Sequence, residues 1–387
     1  MSETELGSVS AAQHAASMAS YVHAGCARAA QLGNRGPLRF DASGGLHPDI
    51  LAAYREHGYY VFEGIVDEQE IAELRADIQF LLDHAPTGQG ASVDHLGRPA
   101  YGQDFAINPY LFIKPLSDPW GGTKILGGRH PTRMIQPTPA DTAPDEVVHI
   151  LTGMCQTMPS GLRLYGHPDL LAIAAAINGD DFVPYNDATF VKLPGLGGSV
   201  SWHQDGVTHW DNPDWDDGIH GFNFQVQLYK CTARNCLWVV PGTHKLGRID
   251  IKSLIADNAG SEQLPDAIPL LCQPGDVTVV NRQMLHGSFA NTSQDLRVSL
   301  TFGFHRRSSI LGAHGALGQS ATETYDEQRI FERSQLIQVA IDARARHHPE
   351  ETRFSYQPFV GLEDDYRFNR ECFEHIVRDY NLKDLSI

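Results

Sequence analysis

Paired cysteines are the first thing missing. Six cysteines, at positions 26, 155, 231, 236, 272 and 372, are scattered through 387 residues without a single CxxC pair. In a chain this long the even number carries little weight, and reduced thiols in a cytoplasmic protein are the simplest reading. Basic residues are also scarce: 30 Lys and Arg face 47 Asp and Glu, a net charge of −17. That field repels phosphate backbones and anionic membranes, so neither nucleic acid nor a membrane is an expected partner. No apolar run approaches the roughly 20 residues of a membrane-crossing helix. The opening Met1-Ser-Glu-Thr-Glu5 has neither the positive nor the apolar region of a secretory signal, which again points to the cytoplasm and makes Asn291-Thr-Ser293 a chance glycosylation match. Gly195-Leu-Gly-Gly-Ser-Val200 does not complete GxGxxG, Gly121-Gly-Thr-Lys124 lacks phosphate-loop spacing, and no GxSxG supports a hydrolase. There is no internal repeat and no low-complexity segment.

What is present can bury a core, since 42% of residues are hydrophobic and 9% aromatic. Residues 1–46 read as an N-terminal helical extension, with an Ala-rich helix over Ala11–Gln31. A main domain follows over 47–307. It begins with a short helix, the strand-like Tyr59–Phe62, and a helix started by a capping box of Asp67 and Glu70. Residues 85–145 are rich in Gly, Pro and Asp and read as long loops. From about 182 to 305 the text is a series of short strands divided by Gly, Pro and Asn turns, the pattern of an antiparallel sandwich or barrel. Helices return in a C-terminal extension, 308–387, at about Tyr325–Arg346 and Asp364–Tyr380. They would cap the core or serve a homo-oligomer interface. The fold class is therefore an all-β core with flanking helices.

With 19 histidines, spacing and context must choose any metal ligands. His-x-Asp occurs at His47, His167 and His203. In the first two, Pro and Asp occupy the opening turn of a helix, and capping explains them. The third, Ser201-Trp-His203-Gln-Asp205-Gly, follows a strand inside the β core. Alternating side chains share a face, so His203 and Asp205 can hold one ion. A second imidazole would complete the two-His-one-carboxylate set of non-haem iron oxygenases, and His286, in His286-Gly-Ser288, is the natural candidate. Eleven positions later Arg297 opens a strand. Period two puts Val298, Leu300, Phe302 and Phe304 on one face and Arg297, Ser299, Thr301, Gly303 and His305 on the other. A polar face suits either a barrel lumen holding a polar ligand or an edge strand facing water. Asn223-Phe-Gln225-Val-Gln227 repeats the alternation and supports a shared pocket.

His-x-Asp, a distant His-Gly-Ser, and Arg eleven residues beyond that His resemble the phytanoyl-CoA dioxygenase family of Fe(II)/2-oxoglutarate oxygenases. Tyr54–Asp67, Phe190-Val-Lys-Leu-Pro-Gly195 and Asn235–Gly247, which contains Pro241-Gly-Thr-His244, resemble further segments of it. The resemblance covers roughly residues 48–306 and implies a double-stranded β-helix, a jelly-roll or cupin-like barrel. It implies Fe(II) held by His203, Asp205 and His286, and 2-oxoglutarate held by Arg297 with Ser288 close by and Gln225 on a contacting strand. The implied reaction is hydroxylation of an unactivated C–H bond of a small molecule with O₂, 2-oxoglutarate being decarboxylated to succinate and CO₂. Related halogenases replace the carboxylate with a small residue, so Asp205 argues for hydroxylation or another oxidation. The family's Asn-Gly before the Pro-Gly-Ser/Thr-His segment is replaced here by Arg234-Asn235 leading into Cys236, and Phe190 stands where some relatives place a polar residue.

Substrate contacts are less legible. His209 and Trp210, in an acidic and aromatic stretch after Asp205, would cage a cationic group or simply sit on a solvated loop. Arg306 would pair with a substrate carboxylate or phosphate, or protect a strand edge. Two other readings keep the fold: a cupin-type metal enzyme that does not use 2-oxoglutarate, against which Arg297 speaks, and a non-catalytic ligand-binding or sensor protein, against which the intact triad speaks.

Overall fold

The alternation in Arg297–His305 resolves into two environments. Val298, Leu300, Phe302 and Phe304 are buried in the main apolar core, while Arg297 and Thr301 line a cavity on the opposite side. The strand is central: it pairs antiparallel with Val183–Lys192 on one edge and Gly221–Gln227 on the other. The computed structural model describes residues 9–205, 221–315 and 323–384. Its strands are β1 (Arg35–Gly36), β2 (Tyr59–Phe62), β3 (Tyr110–Ile113), β4 (Val147–Leu151), β5 (Val183–Lys192), β6 (Val200–His203), β7 (Gly221–Gln227), β8 (Trp238–Val239), β9 (Ile268–Pro269), β10 (Val277–Asn281), β11 (His286–Ser288) and β12 (Arg297–His305).

An eight-stranded sheet runs β1-β2-β10-β7-β12-β5-β4-β3, and a four-stranded sheet runs β6-β11-β8-β9. Residues of both sheets line one cavity between them. This is the all-β core of a double-stranded β-helix with helices packed outside it. The far face of the larger sheet is covered by helices Glu68–Asp83, Pro159–Tyr165, Pro168–Asn178 and Glu327–His347, whose Leu74, Leu162, Leu171 and Ile337 share its core. The smaller sheet is covered by the N-terminal helix Ala19–Leu32, where Tyr21 stacks on Trp238 at 4.7 Å and donates its hydroxyl to the Leu264 carbonyl.

His47 and His167 cap the helices Pro48–His57 and Pro168–Asn178, each ring accepting the amide two residues on, with Pro at the first helical position. Asp67 likewise caps Glu68–Asp83 through the Glu70 amide, but the Glu70 carboxylate makes a two-point ion pair with Arg344. Two expectations need correction. The stretch 85–145 contains β3, which pairs with β4. The expected helix over Asp364–Tyr380 is broken into short turns at Glu363–Tyr366, Arg370–Cys372 and Phe373–Val377. There the Phe368 amide bonds the Asp342 carboxylate, Asn369 starts a new cap, and Asp379 adopts a left-handed backbone, so tertiary and local polar contacts outcompete one continuous helix. Among the described residues no helix is long and apolar enough to cross a membrane.

The ion pair that fastens the C-terminal helix is buried, with the Arg344 and Glu70 side chains 3% and 4% exposed, and Glu351 completes it. Arg344→Ala leaves the Glu70 carboxylate buried without its cation. Urea unfolding should show a loss of about 3–5 kcal/mol; a loss below about 1 kcal/mol, the value of a surface pair, would show that the cluster does not tie this helix to the core.

Candidate metal centre

β6 and β11 run antiparallel with His203 directly opposite His286, a pairing that brings two Cβ atoms to about 5 Å. The ring centroids are 4.1 Å apart. Beyond β6 the Asp205 amide donates to the Arg282 carbonyl at 2.7 Å, which fixes the chain just past the strand end. Asp205 Oδ1 then lies 3.6 Å from His203 Nε2, and Oδ2 lies 3.8 Å from His286 Nε2. The three residues are buried and offer ligand atoms within 4.8 Å of one another; among the described residues no other group of three His, Cys, Asp or Glu does so.

Their protonation suits a divalent ion. His203 Nδ1 meets the Ser201 carbonyl at 2.9 Å and His286 Nδ1 meets the Met284 carbonyl at 2.8 Å. A carbonyl requires a donor, so Nδ1 carries the proton and Nε2 offers its lone pair. Burial pulls both imidazoles below their ordinary range, His203 furthest. Burial alone would raise the Asp205 carboxyl, but Arg129, followed by His286 and Arg282, outweighs it and holds Asp205 below the usual carboxylate range. Arg129 Nη1 donates to Oδ1 and Asn223 Nδ2 donates to Oδ2, each at 2.9 Å. Asn223 depends on Gly303 across the β7–β12 pair: a Cβ at 303 would stand 2.4 Å from the Asn223 side-chain oxygen.

The cavity around these groups has a volume of about 390 Å³. One wall is apolar, with Leu111, Trp120, Ile125, Leu126, Ile150 and Phe190. Gln225, Ser288, Arg297 and Thr301 also line it. Arg297 is 2% exposed, and its guanidinium donates to Gln225 Oε1 at 3.0 Å and the Asn235 carbonyl at 3.2 Å, both neutral. Among the described residues its Nε and the Thr301 hydroxyl are buried without hydrogen-bond partners, a donor set that a carboxylate would complete. Lys192 and His149 lie close enough to Arg297 to feel its charge. Burial and then Arg297 push Lys192 well below its ordinary range, and burial followed by Lys192 and Arg297 pushes His149 down to about 3.

The structure thus brings His203, Asp205 and His286 together and puts Arg297, Gln225 and Ser288 in the same cavity wall. Arg306 is not among the lining residues: β12 ends at His305 and the chain turns into the short helix Arg307–Ile310, leaving Arg306 half-buried at its cap. His209 and Trp210 lie outside the described residues. Arg129 and His130 were not legible beforehand, because they fall in the aperiodic stretch 85–145. The His130 ring packs 4.1 Å from that of His203, shares the Ser201 carbonyl as the acceptor for its Nδ1, and has its buried Nε2 unpartnered among the described residues. Burial, then Arg129, lowers its pKa to about 3.

A family model described as phytanoyl-CoA dioxygenase matches residues 54–299. "Phytanoyl-CoA dioxygenase 1" of Oryza sativa subsp. japonica is 32% identical over 117 residues, 28% of this chain and 40% of the rice protein. The chain therefore spans less than half the length of that relative. "Phytanoyl-CoA dioxygenase" of Arabidopsis thaliana is 23% identical over 265 residues, 66% of this chain and 87% of that protein. Among solved structures, EctD from S. alaskensis with 2-oxoglutarate and 5-hydroxyectoine aligns with TM-score 0.50 and 17% identity, covering 75% of this chain and 88% of that one. At that identity the likeness speaks to fold.

Metal binding at such a site needs both imidazoles neutral and Asp205 ionised. Burial lowers the two histidines and Arg129 lowers the acid, so all three groups reach the ligating form at lower pH than free side chains would. Co(II) affinity, followed by its visible spectrum, should stay nearly flat from about pH 8 to about pH 6, where a free imidazole side chain is already mostly protonated. Arg129→Gln lets all three values rise, so its acid limb should move to higher pH. An unmoved limb would mean that Arg129 does not govern ionisation at this site.

Proposed function

Because the chain belongs to the phytanoyl-CoA dioxygenase family, we propose that it is an Fe(II)- and 2-oxoglutarate-dependent oxygenase that hydroxylates an unactivated C–H bond of a small molecule. The observation that carries this reading is the sharing of one cavity by two donor sets. The buried His203, Asp205 and His286 suit a divalent metal, and the under-satisfied Arg297, with Gln225 and Thr301, suits a carboxylate. When bound, Fe(II), 2-oxoglutarate and O₂ would supply the oxidising chemistry, and 2-oxoglutarate would leave as succinate and CO₂.

In this reading His203 and His286 ligate through Nε2, and the Ser201 and Met284 carbonyls hold their tautomers. Asp205 supplies the third ligand, oriented by Arg129 and Asn223. Arg297 takes the distal carboxylate of 2-oxoglutarate, with Ser288 and Gln225 beside it. Trp120, Ile150 and Phe190 exclude water and leave an apolar wall for the substrate body. Asp205 keeps a carboxylate where related halogenases have a small residue, which favours hydroxylation. All six cysteines are free thiols and four are buried, which suits a reducing, cytoplasmic setting. We place the oxygenase domain at 47–307, with helical extensions at 1–46 and 308–387.

Anaerobic titration with Fe(II) and then 2-oxoglutarate should produce the visible metal-to-ligand charge-transfer band of the chelated complex. Arg297→Ala should keep the iron but weaken 2-oxoglutarate roughly 10- to 150-fold, the equivalent of one charge-assisted hydrogen-bonded group. Bound iron without a band would favour a metal enzyme that does not use 2-oxoglutarate. No iron binding by the wild type would leave a ligand-binding protein on this fold.

A further inference from the structure

A second cavity, of about 350 Å³, adjoins the first, and Arg129 lines both. Its other polar lining residues are Gln204, Arg248, Asp250 and Lys252. Gln204, the middle residue of His203-Gln-Asp205, builds it. Its side chain donates to the Gly247 carbonyl at 3.0 Å and the Gln283 carbonyl at 2.6 Å, and accepts the Ile249 amide at 2.9 Å. The metal-ligand strand end and the segment carrying Arg248 are therefore locked together through one buried side chain.

Charge in this cavity runs against that of the chain. Among the described residues that line it, Arg129, Arg248 and Lys252 face one acid, Asp250, whose carboxylate is occupied by the Ser253 amide and hydroxyl at the start of the helix Ile251–Asp257. Arg129 spends Nη1 on Asp205, yet its buried Nε has no acceptor among the described residues. Three cations around a hollow, one with an orphaned donor, in a protein of net charge −17, make a lining whose chemistry suits an anion.

We propose that the outer cavity binds the oxyanion, phosphate or carboxylate, of the primary substrate. Arg129 stands between that anion and the metal-binding acid. The inference rests on the oxygenase reading for the word substrate, and on the outer cavity alone for the anion. The anion accepts from Arg129 and is flanked by Arg248 and Lys252, while the body of the molecule enters the inner cavity along Trp120, Ile125 and Leu126. Arg129 thus reads the substrate's charge with one edge and holds Asp205 with the other, so an anionic substrate is registered directly beside the metal.

The test is calorimetric titration of the full chain with inorganic phosphate and, separately, acetate, both metal-free and loaded with Co(II) and 2-oxoglutarate. Saturable binding of either anion is expected, with a Kd in the millimolar range typical of a small ion. Arg248→Glu/Lys252→Glu should weaken it at least about tenfold, while Co(II) and 2-oxoglutarate affinities change less than about twofold. Arg297→Ala should leave it unchanged, which separates this site from the 2-oxoglutarate end. Preference for phosphate or for acetate assigns the substrate's acid group. Absence of saturable binding by both anions, or equal binding by the charge-reversed variant, overturns the proposal. If the wild type binds phosphate or acetate through Arg248 and Lys252 but takes up no metal, the oxygenase reading fails and the anion site stands.

Discussion

The register of two short strands carries the rest of this structure. His286 faces His203 across the β6–β11 pair, and a slip of one residue would turn every side chain of β11 to the other face. The pairing is held sterically. A Cβ at Gly287 would stand 3.0 Å from the Val200 carbonyl and 3.2 Å from the Trp202 ring, so the strands approach as closely as glycine allows. Trp202 is in turn anchored, its indole donating to the Glu262 carbonyl at 2.8 Å. Strands this short contribute little by themselves. Their geometry is fixed by the apolar cluster around Trp238, Phe289 and Leu285 behind them and by the helix that brings Tyr21 onto Trp238.

With the register fixed, the two sheets divide the chemistry. The smaller sheet presents neutral imidazoles, kept neutral by burial. The larger sheet presents Gln225, Arg297 and Thr301, and the last two alternate with the core residues Val298, Leu300 and Phe302 on one strand. A strand can do both because its two faces are independent. Electrostatics then separates the ends of the cavity. Arg129 pairs with the single acid of the triad, whereas among the described residues the hydrogen-bond partners of Arg297 are neutral.

The triad, Arg297, Gln225 and Ser288 were legible because each belongs to a short motif or an alternating strand, where spacing alone fixes the face. That each ring of His47 and His167 itself caps its helix came from the structure; that His47-Pro-Asp49 and His167-Pro-Asp169 open helices was legible for the same reason, from Pro at the first helical position and Asp after it. Arg129 and His130 were not, since no period connects a loop residue to a strand more than seventy positions away, and only packing reveals the contact. Glu70 was legible as part of a helix start but not as the partner of Arg344, because the cap needs only the Glu70 amide and leaves its carboxylate for a distant cation. The C-terminal segment misled for a related reason. Its residues have adequate helix propensity, yet the Asp342 and Gln156 side chains capture its backbone amides.

That C-terminal segment also bears on the cavity wall. Tyr185 and Asp187 of β5 line the cavity. Arg333 donates to the Tyr185 carbonyl at 2.9 Å and pairs with Asp384, and the Tyr380 hydroxyl donates to the Asp187 carboxylate. Asp187 also accepts the Gly153 and Met154 amides, and burial raises its pKa to about 7, so the network tolerates a proton there. Arg333, Tyr380 and Asp384 all lie beyond residue 299, where the family match ends. The direct hydrogen-bond partners of the candidate triad, Ser201, Met284, Arg129 and Asn223, lie inside the matched region, and one wall of the cavity is held by groups outside it. Changes at Arg333, Tyr380 or Asp384 can therefore reshape this wall of the cavity without touching the direct partners of the triad.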